Sequence, residues 1–149
     1  LFIANEFQIN WEWYNKVPCK SLIDRVVIDH ENKEIKLIDL KTTSSIVDFN
    51  SKFREYKYNR QLAFYWLAIK WYFVNELKLD FHSYVPKTYI IAITTNDPIE
   101  VKVFQISEPQ LHDGLDEIES LMTMLEWHWE NDKWDYPYTY YEGQGIEII

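Results

Sequence analysis

Two short apolar runs between Ser21 and Ser45 constrain the fold more than any other feature of the chain. The runs are Leu22–Ile28 and Ile35–Leu40, and both are rich in β-branched residues. Four polar residues, 30–33, lie between the two runs. Each run is too short for a typical helix, whereas β-branched runs separated by a polar turn are typical of paired strands. We therefore expect an antiparallel hairpin at the centre of the fold.

Three charged residues interrupt the apolar pattern of this hairpin. Asp39 and Lys41 are two residues apart on the second strand, so they point to the same face, and Asp24 on the first strand can lie beside them. Two adjacent carboxylates are costly unless a cation compensates them, and Mg²⁺ typically binds one or two carboxylates together with substrate phosphates. The alternative is an exposed cluster of ion pairs, each contributing roughly 0–1 kcal/mol.

Length and composition favour one folded domain, which we expect to span residues 1–149. The sequence is 47% hydrophobic, and its single cysteine, Cys19, excludes an internal disulfide framework, a cysteine-rich zinc site and a cysteine-ligated iron–sulfur cluster. This low cysteine content fits the cytoplasmic location that we expect. The sequence contains no apolar run of about 18 residues, so we expect no membrane span. Because strand-like sequence begins at Leu1 without a preceding helix, we expect a missing N-terminal helix or a longer parent protein.

Charge is distributed unevenly along the chain. The net charge is −9, yet residues 16–60 hold ten basic and seven acidic residues, a net of +3, which leaves −12 for the remainder. The segment with the candidate site is therefore the basic part of an acidic chain. This distribution favours a local groove that faces phosphates, although a solvated basic face would give the same pattern.

The remaining elements follow from hydrophobic periodicity and from turn signals. We predict a first strand over Glu6–Tyr14, helix over about Val47–Leu77 with a break near Tyr58–Asn59, strands over Tyr89–Thr95 and Glu100–Ile106, and a helix from the N-cap Ser107 to about Asn131. The fourth strand is apolar enough to be buried on both faces. The hydroxyl residues 42–45 are expected to cap the following helix, and the aromatic tail from Lys133 to fold back on the body. The order predicts an α/β fold in which the fourth strand runs parallel to the third.

Three segments together resemble the PD-(D/E)XK nuclease superfamily, and within it the RecE-type (exonuclease VIII) and RecB-type branches. These segments read IDRVVID around Asp24, IDLKTT around Asp39 and Lys41, and QLAFY from Gln61 to Tyr65. The likeness covers roughly residues 6–134. It implies a restriction-endonuclease-like core, with a mixed central sheet flanked by helices in the order β-β-β-α-β-β-α.

The resemblance also implies roles for individual residues. Asp24 and Asp39 would bind Mg²⁺, for which Mn²⁺ can substitute, with the Leu40 carbonyl as a third ligand. Lys41 would orient the attacking water and stabilise developing charge, while Gln61 and Tyr65 would line the catalytic site. We assign DNA contacts to basic and hydroxyl residues near these motifs: Arg25, Thr42, Thr43, Ser44, Lys57 and Arg60.

The expected function is metal-dependent hydrolysis of DNA phosphodiester bonds. Similarity to RecE-type enzymes implies an exonuclease on duplex ends in recombination or phage DNA processing, with a homo-oligomer and a recombination partner protein as further expectations. The alternative is an inactive nuclease-fold domain that binds DNA or a partner protein. A purely structural protein would leave the placement of Gln61 and Tyr65 unexplained.

Overall fold

The computed structural model describes all 149 residues as a five-stranded sheet with helices packed against it. The strands are β1 (Phe2–Trp13), β2 (Val17–Asp29), β3 (Glu34–Thr43), β4 (Val85–Thr94) and β5 (Val101–Gln105). The helices are α1 (Phe49–Glu55), α2 (Tyr58–Tyr72), α3 (Glu108–Asn131) and α4 (Tyr138–Glu142). A wider helical turn, Phe73–Leu77, extends α2, and a short 3₁₀ turn, Phe81–Ser83, precedes β4. No helix combines the length and the apolar character that crossing a bilayer requires.

The central hairpin forms as predicted, and its turn explains why the chain reverses there. One carboxylate oxygen of Asp29 accepts the backbone N–H groups of Glu31 and Asn32, at 3.1 and 3.0 Å. Lys33 adopts a left-handed conformation with φ of 54°. An aspartate that binds the backbone two residues ahead is typical of tight turns. The turn thereby fixes the register in which Ile28 pairs with Ile35.

The strand order in the sheet is β1-β2-β3-β4-β5. The pairs β1–β2, β2–β3 and β4–β5 are antiparallel, whereas β3 and β4 are parallel. Parallel neighbours need a crossover connection, which the helical segment between β3 and β4 supplies. The predicted mixed sheet and the predicted parallel pair are therefore confirmed.

Burial alternates along the two central strands, so one face of the sheet carries the core. Ile35 and Leu37 on β3 and Ile90 on β4 are inaccessible to solvent, and complete burial of such a side chain contributes about 1.5–3 kcal/mol. The prediction that the fourth strand is buried on both faces is wrong. Tyr89 and Ile91 on its outer face remain partly exposed, because the buried positions alternate and the helices cover the opposite face.

The helical segment after β3 breaks at one residue. Lys57 has a left-handed φ of 55°, which ends α1 and starts α2 one residue before the predicted break. The predicted capping by the hydroxyl residues takes a different form. Asp48 is the N-cap of α1 and makes no side-chain cap, while Ser45 Oγ accepts the backbone N–H of Asp48 at 3.3 Å. The hydroxyls therefore organise the turn into α1 rather than cap its first turn.

Helix α3 crosses α2 at unusually close range. Gly114 is buried, and a Cβ atom at this position would overlap the backbone carbonyl of Asn59 on α2.

Ser107 is the N-cap of α3 as predicted, but its side chain makes no capping hydrogen bond. The aromatic tail folds back as predicted, since the rings of Tyr138 and Trp127 lie 5.3 Å apart.

Candidate active site

Asp24 lies where β2 and β3 stop pairing and an opening forms between them. The ladder between β2 and β3 ends at the pair Arg25–Ile38, whereas β3 stays paired with β4 as far as Thr43. In place of the next ladder partner, Asp24 Oδ2 accepts the backbone N–H of Leu40 at 2.7 Å. The N–H and C=O of one strand residue point to the same side. The Leu40 carbonyl therefore faces the same opening as the Asp24 carboxylate.

Asp39 and Lys41 project together from the inner face of β3. Asp39 is only 2% exposed, and Lys41 Nζ lies 2.8 Å from its Oδ2. This contact brings opposite charges together but is not aligned as a hydrogen bond, and no other donor reaches Asp39 Oδ2. An ionised carboxylate has about four lone-pair sites, so one ammonium contact does not use its whole capacity. Asp39 therefore retains an acceptor that a cation can occupy.

Helix α2 supplies a polar chain that faces this pair of residues. Lys41 Nζ donates to Gln61 Oε1 at 2.7 Å, and Gln61 Nε2 donates to the hydroxyl of Tyr65 at 2.9 Å. Gln61 and Tyr65 are four residues apart, so they lie one turn apart on the same helical face. Because Tyr65 accepts from Gln61, its own O–H remains available as a donor. The predicted residues Asp24, Asp39, Lys41, Gln61 and Tyr65 thus converge on one place.

Tyr58 is a member of this cluster that the sequence analysis did not identify. Lys41 Nζ lies 4.6 Å from the centroid of the Tyr58 ring, within the range of a cation–π interaction. The ring stacks on Phe49, with centroids 6.1 Å apart. Its position three residues before Gln61 places it on the same side of α2, and this spacing is the signal that could have identified it. Lys41 is therefore held by a carboxylate, an amide oxygen and an aromatic face.

Burial is the main cause of the electrostatic shifts at the site. Burial raises the pKa of the Asp39 carboxyl above its ordinary value, Lys41 opposes this effect, and the charge of Asp24 adds to it. Burial also raises the pKa of the Tyr65 hydroxyl, and Asp39 contributes in the same direction. Tyr65 therefore remains protonated at neutral pH and can act as a hydrogen-bond donor.

The donor set fits a hard divalent cation. Asp24 and Asp39 supply carboxylate oxygens, one of which is buried and contacts Lys41 Nζ, and the Leu40 carbonyl faces the same opening as Asp24. Mg²⁺ prefers oxygen ligands and is usually held by one or two carboxylates plus substrate phosphates. No third His, Cys, Asp or Glu joins them to form a larger protein-ligand cluster. The residues present thus match a partly substrate-coordinated ion.

The six residues predicted to contact DNA have different surroundings. Lys57 and Arg60 lie against Glu117 of α3, at 3.9 and 2.6 Å, so their charges are compensated within the protein. Arg25 donates to the side-chain oxygen of Asn5 at 3.0 Å. These three cations are therefore engaged by the protein's own acceptors.

The three hydroxyl residues lie at the carboxyl end of β3. Thr42 is exposed on the outer face of the sheet, opposite to the face that carries Asp39 and Lys41. Thr43 follows Lys41 on the inner face and is nearly buried, while Ser44 is exposed. Of these three residues, only Thr43 and Ser44 therefore extend the candidate site beyond Lys41.

A separate apolar hollow lies on the other side of α2. It has a volume of about 420 Å³ and is lined by residues that include Trp66, Leu67, Phe81 and Leu111. None of the converging polar residues lines it. Since it lacks a pair of carboxylates, this hollow offers no comparable metal-binding chemistry.

Comparison with known proteins agrees with the fold. A crystal structure from Eubacterium rectale, described as a "Putative exonuclease", superposes with a TM-score of 0.60 at 11% sequence identity. The superposition covers 98% of this chain and 53% of that one, so the chain spans about half the length of its structural relative. At this identity the likeness concerns the fold. A search of curated protein sequences gives no match.

A family model provides the assignment. The model described as "PDDEXK-like domain of unknown function (DUF3799)" matches residues 5–137, a range that includes all the residues of the candidate site. Nucleases of this superfamily generally use divalent metals and act on DNA. The restriction-endonuclease-like core that we predicted from the sequence is confirmed. The chain belongs to the DUF3799 family of PDDEXK-like domains.

Proposed function

We propose that this chain is a Mg²⁺-dependent deoxyribonuclease whose active site is formed by Asp24, Asp39, Lys41, Gln61 and Tyr65. One observation carries the proposal: two carboxylates and a lysine converge, and Lys41 Nζ, 2.8 Å from Oδ2, is the only side-chain cation that contacts the buried Asp39. Such an arrangement is costly in a protein that binds nothing there. Membership of a PDDEXK-like family supports the same function.

In the proposed reaction, a water molecule loses a proton as its oxygen bonds to phosphorus, the bond between phosphorus and one sugar oxygen breaks, and that sugar oxygen takes up a proton. A bound Mg²⁺ would lower the pKa of water and polarise the phosphoryl oxygens. Asp24, Asp39 and the Leu40 carbonyl would hold it. These groups face the opening between β2 and β3, which would therefore receive the DNA strand.

Lys41 would stabilise the negative charge that grows on the phosphoryl oxygens. Gln61 Oε1 holds the ammonium group by accepting one of its N–H bonds, and Tyr65 in turn holds the amide of Gln61. A pre-positioned donor of this kind contributes about 3–4 kcal/mol to transition-state stabilisation. The free O–H of Tyr65 would donate to a phosphate oxygen, because its raised pKa keeps it protonated.

The decisive experiment compares cleavage of end-labelled linear duplex DNA with that of closed circular DNA, in Mg²⁺, Mn²⁺ or EDTA. We expect Lys41→Ala to lower kcat at least 100-fold. Lys36→Ala is the matched control, since Lys36 lies on the same strand and pairs with Glu34 at 3.2 Å, away from the site. Equal activity of wild type and Lys41→Ala would contradict the site assignment.

The finer features of the proposal follow the likeness to RecE-type enzymes. We propose an exonuclease on duplex ends, acting in recombination or phage DNA processing as a homo-oligomer. Loss of the linear substrate alone would support exonuclease action, whereas loss of both substrates would indicate an endonuclease. Analytical ultracentrifugation would report the oligomeric state.

A second candidate function is DNA binding without cleavage. The observation that favours it is that only two acidic side chains, Asp24 and Asp39, converge, with no third protein carboxylate or imidazole. Calorimetric titration with Mg²⁺ and Mn²⁺ separates the candidates. Retained DNA binding without any metal binding or cleavage would favour this second function.

A further inference from the structure

Lys52 is a half-buried cation that the protein holds in place without compensating its charge. It lies in the last turn of α1, and its Nζ donates to Ser44 Oγ at 2.5 Å and to Thr43 Oγ1 at 3.2 Å. Both partners are neutral hydroxyls. Lys52 makes no ion pair with any carboxylate.

Its neighbours among the basic residues differ in this respect. Lys41 contacts Asp39, while Lys57 and Arg60 both contact Glu117. Arg25 also lacks an acidic partner and donates to the neutral Asn5, but it lies on β2, so Lys52 is the held cation without an acidic partner at the carboxyl end of β3. An ordered ammonium without an acidic partner is suited to binding an external anion. Part of the side-chain entropy that binding would otherwise cost has already been lost on folding.

The two hydroxyls that hold Lys52 differ in what they can still donate. Thr43 Oγ1 donates to the Ser45 carbonyl at 3.0 Å and accepts from Ser45 N and from Lys52 Nζ, so its hydrogen-bonding capacity is used. Ser44 Oγ accepts from Lys52, and its own proton has no partner within the protein. Ser44 is exposed. Thr43 is thus a positioning residue, and Ser44 is an available donor.

The position of Thr43 relative to Lys41 sets the spacing of this cluster along β3. Thr43 lies two residues after Lys41 on the same strand and the same face, which corresponds to about 6.6 Å. Neighbouring phosphates of an extended DNA strand are separated by a comparable distance. The cluster is also rigid, since Asn96 Nδ2 donates to the Ser44 carbonyl at 3.3 Å and Thr95 N donates to the Thr43 carbonyl at 3.0 Å.

We propose that Lys52 and Ser44 form a subsite for the phosphate adjacent to the scissile one. This inference rests on the proposed nuclease function, because it takes the scissile phosphate to lie at Lys41. The ligand is a backbone phosphodiester of DNA. The subsite would hold the strand in register with the cleavage site by contacting its backbone rather than its bases.

The first test measures binding of a fluorescent DNA duplex by anisotropy in EDTA, over a range of salt concentrations. The logarithm of the association constant K falls linearly as log[salt] rises. Removing one phosphate contact makes this slope less steep by about 0.9, which corresponds to about eightfold weaker binding at 0.1 M salt. We expect this change for Lys52→Gln, which keeps much of the side-chain length, and for Lys52→Ala. Lys52→Arg should retain the slope.

Lys70→Ala is the matched control, because Lys70 is exposed, makes no ion pair and lines the hollow on the opposite side of α2. Its slope should equal that of the wild type. An unchanged slope in both uncharged Lys52 variants, with thermal unfolding confirming that they fold, would overturn the subsite and leave Lys52 as a brace of the turn into α1.

The second test uses DNA in which an uncharged methylphosphonate replaces the linkage next to the one that is cut. Wild type should lose affinity on this substrate, and Lys52→Gln should lose no more, since the two changes remove the same contact. Independent, additive losses would overturn the proposal. A reduced salt slope in a chain that cleaves no DNA would support the subsite while contradicting the nuclease function, so the two failures are distinguishable.

Discussion

Lys41 Nζ lies over the ring of Tyr58, 4.6 Å from its centroid, while the same ammonium contacts Asp39 and Gln61. The aromatic face is a third contact of this ammonium, beside its two polar partners. A side chain with four rotatable bonds is thereby restricted to one position. The proposed catalytic lysine is thus oriented by an aromatic residue as well as by polar ones.

Replacing Tyr58 by Leu should lower kcat about fivefold and leave KM nearly unchanged, because a cation–π contact contributes about 1 kcal/mol to holding Lys41. Tyr58→Phe keeps the aromatic face and should retain wild-type kcat. Steady-state cleavage of linear duplex DNA measures both parameters. Tyr56→Leu, which changes an exposed neighbouring ring, is the control.

A structural readout independent of activity accompanies this prediction. The Tyr58 ring should shift the NMR signals of the Lys41 ε-methylene protons upfield, and the shift should disappear in Tyr58→Leu. If Tyr58→Phe loses as much activity as Tyr58→Leu, the hydroxyl rather than the aromatic face is responsible, and the cation–π assignment is wrong.

Asp39→Asn should raise the free energy of unfolding at pH 7. The physical reason is that burial raises the pKa of Asp39, so the folded state is favoured by protonation. That contribution is fully present below the ordinary pKa of Asp, about 3.9, and is lost as the pH rises through the raised value. Lys41 would keep Gln61 as its partner.

Urea unfolding of both proteins across pH 3.5–7 tests this expectation. The difference should be near zero at the acid end and should grow with pH. In 5 mM Mg²⁺, the wild type should gain stability through binding, whereas Asp39→Asn should not. An Asp39→Asn protein less stable than wild type at pH 7 would show that the Lys41 ion pair outweighs the cost of burying the carboxylate.

Gly114→Ala should destabilise the protein by about 1–3 kcal/mol, because the added methyl group would overlap the Asn59 carbonyl and force α3 away from α2. Thermal unfolding measures the loss. Ser120→Ala, at an exposed position of the same helix, should have little effect. Because Asn59 is close in sequence to Gln61, we also expect reduced kcat. A stable Gly114→Ala protein would contradict the close helix crossing.

Asp24→Asn and Asp24→Ala should both abolish metal-dependent cleavage but should differ in stability. Asn retains an oxygen that can accept the Leu40 N–H, whereas Ala removes this exposed hydrogen bond, whose net contribution is about 0.5–1.5 kcal/mol. Chemical unfolding in EDTA separates the two effects. Equal stability of the two variants would show that water replaces the carboxylate at this position.

The strands and the motif residues could be predicted from the sequence, because both signals are local. Alternation places Asp39 and Lys41 on one face, and helical spacing does the same for Gln61 and Tyr65. The parallel placement of β4 beside β3 followed from the helical crossover. The order of the predicted strands and helices along the chain was therefore enough to predict most of the fold.

What could not be predicted depends on contacts between distant elements. Lys52 is one of several lysines in a basic segment, and only the packing of α1 against the end of β3 shows that it meets hydroxyls and no acid. Arg60 and Lys57 belong to the same segment, yet α3 brings Glu117 to them. The apolar sequence of β4 likewise did not reveal which of its faces the helices cover.

Asp24 completes the hydrogen bonding of β3 at the point where β2 leaves it. Folding alone therefore gives a reason for an acidic or amide side chain to persist at this position after catalysis has been lost. A relative that retains this aspartate is not thereby an active nuclease. Lys41 is the better marker, since its contacts are with side chains and no backbone group depends on it. A survey of relatives for surviving activity should begin at the lysine.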